Sequence, residues 1–399
     1  MSFVASALWP KIYAKTRHTS VMSNPRKDNA VLAVPAALEP AFEDGPVVDR
    51  ESIAAAYRDA VAGMLGGDRP GLFVAGPRGT GKSLLTRRVL DDALTADQRS
   101  VVVQCAEHDT AYGVAVALAN ALDPSAPSLA PTGHAEQAVM ETLADRLAET
   151  TAAVVVLDDV ETVATDPLLP TIADATRETT LATILVANDH TFRNELSYPI
   201  RRRLCARELA VDRYDDEVVR KILDSRVDAA FEAGAVSPEA LDQCTQIVQS
   251  DLDGDLGAGV RLLAFVAVVA DEDGAGYVTA EHVTRARDRL VSQRISDHLA
   301  DASIHRAACL RALSERVTAA GDAPRIDDLY ATYREQCEAE NIDPISKRGF
   351  HDHLRALREA GLVTVTSHRS GTPGHYYRYH LAVEPSAARL ALAGVLSDG

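Results

Sequence analysis

Lysine is nearly missing from this chain: of 41 basic residues only six are Lys, and 58 Asp and Glu leave a net charge of −17. A polyanion-coating protein that works by bulk positive charge is excluded by that balance. Long apolar runs are missing too. The longest, Leu262 to Ala270, is too short to cross a bilayer. The apolar stretch at the N-terminus precedes its basic residues, the reverse of a secretory signal. Cysteine is sparse and unpaired in spacing: Cys105, Cys205, Cys244, Cys309 and Cys337 form neither a disulfide framework nor a zinc motif. These absences lead us to expect a cytoplasmic protein with reduced thiols and no membrane partner. Acid excess with so little lysine is the composition expected of a protein kept soluble by very high salt, as in halophiles. The charge is also uneven. Residues 301–399 hold 12 Lys+Arg and 13 Asp+Glu, against 29 and 45 in residues 1–300.

What is present is a chain of 399 residues, 46% hydrophobic and 25% charged, enough for two or three domains with cores of their own. Gly76-Pro77-Arg78-Gly79-Thr80-Gly81-Lys82-Ser83 reads G-x-x-x-x-G-K-[ST]. Leu72-Phe73-Val74-Ala75 leads into it as a strand, and Leu84, Leu85, Val89 and Leu90 follow at helical spacing. Strand, glycine turn and helix are the context a phosphate-binding loop requires. Gly79 and Gly81 let successive N–H groups converge on a phosphate, where the helix N-terminus adds partial positive charge. Lys82 would reach the β- and γ-phosphates of ATP, and Ser83 would hold Mg²⁺.

A second strand, Val154-Val155-Val156-Leu157, ends in Asp158-Asp159. Such an apolar run suits a parallel sheet covered on both faces, with the carboxylates at the ligand-binding end. Asp158 is expected to hold Mg²⁺ and Asp159 to orient the attacking water. A bare loop start is the alternative. A third strand, Leu181 to Ala187, ends in Asn188, placed either to reach a γ-phosphate or to cap a turn. Ile200-Arg201-Arg202-Arg203 is either a solvated cationic face or the source of an arginine finger.

Beyond about residue 211 only helical patterns follow, to about 298. In the last hundred residues, three helical patterns precede two strands, Leu362–Thr366 and His375–Val383. Pro344 and Ser346 start the third helix, and Gly361 stops it. Phe350, Leu354 and Leu357 mark one face; Arg348, His351, Arg355 and Arg358, with Lys347 at the start, mark the other. Three helices and a hairpin tipped by Arg369 predict a winged helix whose basic helix enters a DNA major groove. A winged helix used for protein contacts is the alternative.

The expected fold is therefore an α/β P-loop ATPase core with an all-helical lid and a C-terminal winged helix. We place a disordered lead at 1–45, the nucleotide-binding domain at 46–210, the lid at 211–298, the winged helix at 299–385 and a tail at 386–399.

From about Val47 to Val383 the chain resembles the archaeal initiators related to the largest subunit of the origin recognition complex and to the cell-division-control helicase loader. These are AAA+ ATPases with a winged helix. The resemblance rests on GPRGTGKS, VVVLDDVE, LVANDHTF, VDRYDDEVVRKILDSR, Gly254-Asp255, VTAEHVTRAR and RISDHLADASIHRAACLRAL. It implies ATP and Mg²⁺ as cofactors, double-stranded origin DNA as partner, recruitment of the replicative helicase and self-association on DNA. It assigns Asn188 as the sensor-1 residue, Arg201 as the finger, and Tyr214 and Arg226 as further ATP contacts. It also puts an initiator-specific DNA contact between Asp123 and Leu147. Three departures accompany it. Asp159 stands where the family usually has Glu, and a carboxylate ~1 Å short of its water can cost ~10²-fold in rate. Gly257 occupies the sensor-2 arginine position, with Arg261 one turn later. Tyr198-Pro199 replaces Pro-Arg before the finger. ATP binding with slow hydrolysis is the expectation. A paralogue acting as an ATP-switched regulator is the runner-up, followed by a winged-helix ATPase of a mobile element or defence system.

Overall fold

The computed structural model describes residues 31–39, 48–68, 71–108, 110–150, 153–163, 166–300, 303–320, 323–369 and 375–397. Beyond the N-terminal 33 residues the chain forms two compact units, 34–230 with 244–260, and 231–243 with 261–399.

The first unit runs α1 (Glu51–Leu65), β1 (Gly71–Ala75), α2 (Lys82–Ala93), β2 (Arg99–Gln104), α3 (Ala111–Leu122), α4 (Glu136–Glu149), β3 (Ala153–Asp158), α5 (Leu168–Glu178), β4 (Ala182–Ala187), α6 (Phe192–Glu195), α7 (Tyr198–Leu204), β5 (Arg207–Ala210) and α8 (Asp216–Ala230). The five strands are all parallel, in the order β2-β3-β4-β1-β5. Successive side chains of a strand point to opposite faces, so the unbroken apolar runs of β1, β3 and β4 serve two cores. Phe73, Val155, Leu157 and Leu185 join Leu118, Leu143 and Ile172 on one face. Leu72, Val74, Val154, Val156, Ile184 and Val186 join Tyr57, Val61, Leu85 and Val89 on the other. Helices on both faces are what hide a parallel sheet from water. The order also places β4 between β1 and β3, so Asn188 emerges between the glycine loop and Asp158.

The helical lid continues with α9 (Pro238–Ser250), α10 (Leu256–Glu272) and α11 (Ala280–Ala300). Gly259 of α10 permits close helix packing, since a Cβ there would lie 2.7 Å from Val248 Cγ2.

In the second unit follow α12 (Ile304–Ala320), α13 (Ile326–Ala339), α14 (Lys347–Glu359), β6 (Val363–Arg369), β7 (His375–Leu381) and α15 (Pro385–Ser397). Strands β6 and β7 pair antiparallel, and an isolated bridge joins Arg325 to Arg378. Leu313, Leu329, Tyr333, Phe350, Leu354, Leu357 and Tyr379 close the core. Ser346 caps α14 by accepting from the Gly349 N–H at 3.3 Å, and Gly361 at φ +71° ends it.

Two expectations change. The segment expected as a C-terminal tail from 386 is α15, whose Ala387, Ala388, Ala391 and Leu392 are buried in the winged-helix core. Small alanines make a weak hydrophobic stripe, but they let this helix lie close along its neighbours. Of the expected disordered lead, 1–30 and 40–45 lie outside the described residues. Residues 31–39 are ordered, with Val31 and Leu38 buried and a 3-10 turn at Pro35–Leu38.

Candidate functional site

Gly76 to Ser83 link β1 to α2 as the motif requires. Gly79 and Gly81 have φ +73° and +82°, a region most side chains avoid. At Gly76 a Cβ would meet the Val211 carbonyl oxygen at 2.0 Å, and at Gly79 the Oδ1 of Asp255 at 2.2 Å. Thr80 Oγ1 donates to the Pro77 carbonyl at 3.0 Å and closes the turn. Gly81 caps α2 without a side-chain acceptor, so the first N–H groups of α2 keep their donors for an anion.

Lys82 is 5% exposed. Its Nζ donates to the carbonyls of Gly76 at 2.7 Å and Pro77 at 2.8 Å, and to Asn188 Oδ1 at 3.0 Å. Burial pulls its pKa below the ordinary lysine value, outweighing the nearby carboxylates of Asp158, Asp159, Glu161 and Asp255. Asp158, 3% exposed, is pushed above the usual aspartate range by burial, opposed by hydrogen bonds from Ser83 and Gln104. Gln104 Nε2 reaches Asp158 Oδ2 at 2.9 Å. A hydroxyl beside a buried carboxylate is the oxygen-donor chemistry a hard divalent cation takes, so Ser83 and Asp158 fit Mg²⁺.

The structure thus brings together Gly76–Ser83, Asp158, Asp159 and Asn188. Asn188 Nδ2 donates to Asp159 Oδ1 at 2.6 Å. Tyr214 joins them: a Cβ on Gly81 would lie 3.1 Å from its hydroxyl, and Arg50 stacks on its ring at 3.8 Å. Two expected members make other contacts. Arg226, on α8, donates to the Ala37 carbonyl at 3.1 Å, and Arg201 lies on α7, half-buried near Cys205. Arg78 is exposed at the loop tip.

Four residues at the site have no role assigned from the sequence. Glu161 and Asp255 bring carboxylates to the loop, Gln104 holds Asp158, and Arg50 backs Tyr214. Glu161 could have been read from the third acid of VVVLDDVE. Asp255 stands in the quoted Gly254-Asp255 pair, while Gln104 and Arg50 depend on pairings across more than 50 residues and leave no local signal.

In the second unit Lys347, Arg348, His351, Arg355 and Arg358 are all exposed on α14. Lys347 pairs with Asp327, and Arg355 with Asp352 at 2.9 Å. Among the described residues no ion pair engages Arg348 or Arg358. Arg369 ends β6; its side chain and the tip at 370–374 lie outside the described residues. The stretch from Asp123 to Leu147, expected to hold another DNA contact, has a buried arginine. Its one Lys or Arg, Arg146, is 9% exposed and is bound to the carbonyls of Ala119 at 2.7 Å and Pro127 at 2.9 Å. It pins the 123–133 loop and presents no cation to solvent.

A parallel sheet with a phosphate-binding loop, a helical lid and a winged helix define a AAA+ ATPase-type chain. Residues 67–194 match the AAA domain family, 220–288 the Cdc6 AAA+ ATPase-type lid domain, and 297–391 the CDC6 C-terminal winged helix domain. The lid and winged-helix matches are both to Cdc6 domain models, and the chain is similar over nearly its whole length to archaeal ORC1-type DNA replication proteins. It is 29% identical to ORC1-type DNA replication protein 15 of Haloarcula marismortui, covering 90% of this chain and 92% of that one. Identity is 28% to ORC1-type DNA replication protein 10 of Halobacterium salinarum, covering 94% and 95%. Its fold is similar to that of the Aeropyrum pernix ORC1 protein solved in complex with DNA, at TM-score 0.77 and 22% identity, covering 92% and 98%. A further likeness is to Cdc6p from Pyrobaculum aerophilum, at TM-score 0.56 and 19% identity, covering 92% and 100%.

Proposed function

We propose that this protein binds ATP with Mg²⁺ at Gly76–Ser83, recognises double-stranded origin DNA through its winged helix, and recruits the replicative helicase. The observation that carries the reading is the convergence of Lys82, Ser83, Asp158 and Asn188 at the ends of three adjacent strands. In this reading the loop N–H groups and Lys82 hold the phosphates, while Ser83 and Asp158 hold the cation, which supplies charge neutralisation when bound. Asp159 orients water, Asn188 senses the third phosphate, and Tyr214 closes the loop side. Arg226 and Arg201 are assigned more remote roles, Arg201 as a finger offered to a second copy on DNA. Duplex contact falls to Lys347, Arg348, His351, Arg355, Arg358 and Arg369. The charge of the 123–147 segment gives no support to a phosphate contact there.

A second reading, an ATP-switched DNA-binding regulator with little hydrolysis, is favoured by two residues. Asp159 is a short carboxylate, and Gly257 leaves the sensor-2 position without a side chain. Footprinting on chromosomal and plasmid origins, with and without ATP, tests the reading. Repeated origin elements should be protected, and protection should change with ATP. Lys82→Ala should abolish nucleotide binding with the fold intact, and Arg348→Ala or Arg355→Ala should weaken DNA binding ~10-fold or more. Normal ATP affinity in Lys82→Ala would refute the site assignment. No protection on any origin would refute the initiator reading.

A further inference from the structure

Three carboxylates gather at the end of β3, and the function proposed above uses two of them. The third, Glu161, sits on the 3-10 turn Val160–Thr162 that follows Asp159. Its Oε1 accepts twice from one residue: from the Asn188 backbone N–H at 3.0 Å and from Asn188 Nδ2 at 2.7 Å. The same Nδ2 donates to Asp159 at 2.6 Å, and Asn188 Oδ1 accepts from Lys82 Nζ at 3.0 Å. Carboxylates only accept and an ammonium only donates, so this pattern allows one orientation of the Asn188 amide. Glu161 fixes both the backbone and the side chain of that residue. Its other oxygen, Oε2, is buried and has no protein donor among the described residues. The geometry comes from backbone strain next door: Asp159 adopts φ +54°, ψ +41°, which turns the chain so that residues 159 and 161 both reach Asn188.

We propose that Glu161 is a positioning residue that aligns Asn188 with the third phosphate and so sets the preference of the site for ATP over ADP. This rests on the reading of Gly76–Ser83 as the ATP site. Asn188 Nδ2 has two hydrogens. A phosphate oxygen takes the one now given to Asp159, releasing that carboxylate for water, while the two bonds to Glu161 keep the amide in place. ADP lacks the oxygen that this arrangement serves.

The test uses the full chain and displacement of a fluorescent ADP analogue by ADP and by ATPγS, both with Mg²⁺. Glu161→Ala should lower the ATPγS-over-ADP preference on the order of 10-fold, the scale of a lost hydrogen bond to a charged group. Its ADP affinity should stay within about 3-fold of wild type, since its phosphate loop is untouched. Glu161→Gln should retain most of the preference, because its amide carbonyl can accept both bonds. The assignment is overturned if Glu161→Ala keeps the wild-type preference, if ADP and ATPγS weaken equally, or if Gln behaves as Ala does. Wild-type protein that binds neither nucleotide would instead refute the ATP-site reading, and the assignment with it.

Discussion

At Gly79 the backbone has φ +73°, and an added Cβ would lie 2.5 Å from the Cα of Asp255 and from the N of Leu256. Neither neighbour is a flexible side-chain tip, so the contact cannot be relieved locally. Gly133 has φ +95° with nothing within 4 Å of such a Cβ. Alanine at either position bears a left-handed backbone cost of roughly 1–2 kcal/mol. Only at 79 does it also force the start of α10 off the phosphate loop. Gly79→Ala should therefore lower the thermal midpoint more than Gly133→Ala and abolish nucleotide binding, which Gly133→Ala should spare. Equal melting shifts would show that Asp255 does not press on the loop. At this scale the sequence is informative where chemistry is local. The phosphate loop and Asp158 can be read from eight-residue windows. The grip of Glu161 on Asn188 spans 27 positions, and Asp255 lies 176 positions from Gly79, so neither leaves a periodicity to detect.

At the scale of elements, the basic helix was legible for a reason that the C-terminal helix lacks. In α14 a serine cap, a C-terminal glycine and a sharp division between Phe350, Leu354, Leu357 and the arginines all agree. In α15 the buried face is largely alanine, and alanine is common both in helices and in tails. The inner side of α14 also carries His353. Burial depresses its pKa, and Arg306 and His305 add to the effect. Ser303 Oγ lies 3.4 Å from its Nε2, and the His305 ring 6.4 Å from its own. A histidine with a folded pKa below the unfolded value near 6.5 holds fewer protons when folded, so stability falls as pH drops through that range. The winged helix should lose thermal stability between pH 7.5 and 5.5, and His353→Gln should flatten that slope. An unchanged slope in the variant would assign the pH dependence to other groups.

For the whole molecule, the charge distribution separates two jobs. The acidic surplus lies almost entirely in residues 1–300, while the winged-helix region is near neutral and exposes Lys347, Arg348, Arg355 and Arg358 on one helix. Under the proposed function, that division would let an acidic protein meet an acidic duplex through one oriented surface. Phosphate contacts weaken steeply as salt rises, so under the proposed DNA-binding role the α14 residues would rely on base edges and groove shape in concentrated salt. The domain order was readable because each part has its own period: buried strands alternating with helices, then helices alone, then helices and a hairpin. The burial of Arg146 was not readable, because the sequence shows a cation but not the carbonyls that absorb it.

All five cysteines are free and buried, and burial pushes the thiols of Cys105, Cys205 and Cys244 up to about 12. A thiol reagent meets a reactive sulfur only when the surrounding structure opens. The chain therefore carries a built-in set of clocks for local opening, spread over the end of β2, the turn after α7, the lid and the winged helix. Cys105 follows Gln104, which holds Asp158, so Mg²⁺ with ATP should slow its labelling far more than that of Cys337. Equal slowing at both would mean that nucleotide steadies the molecule as one body.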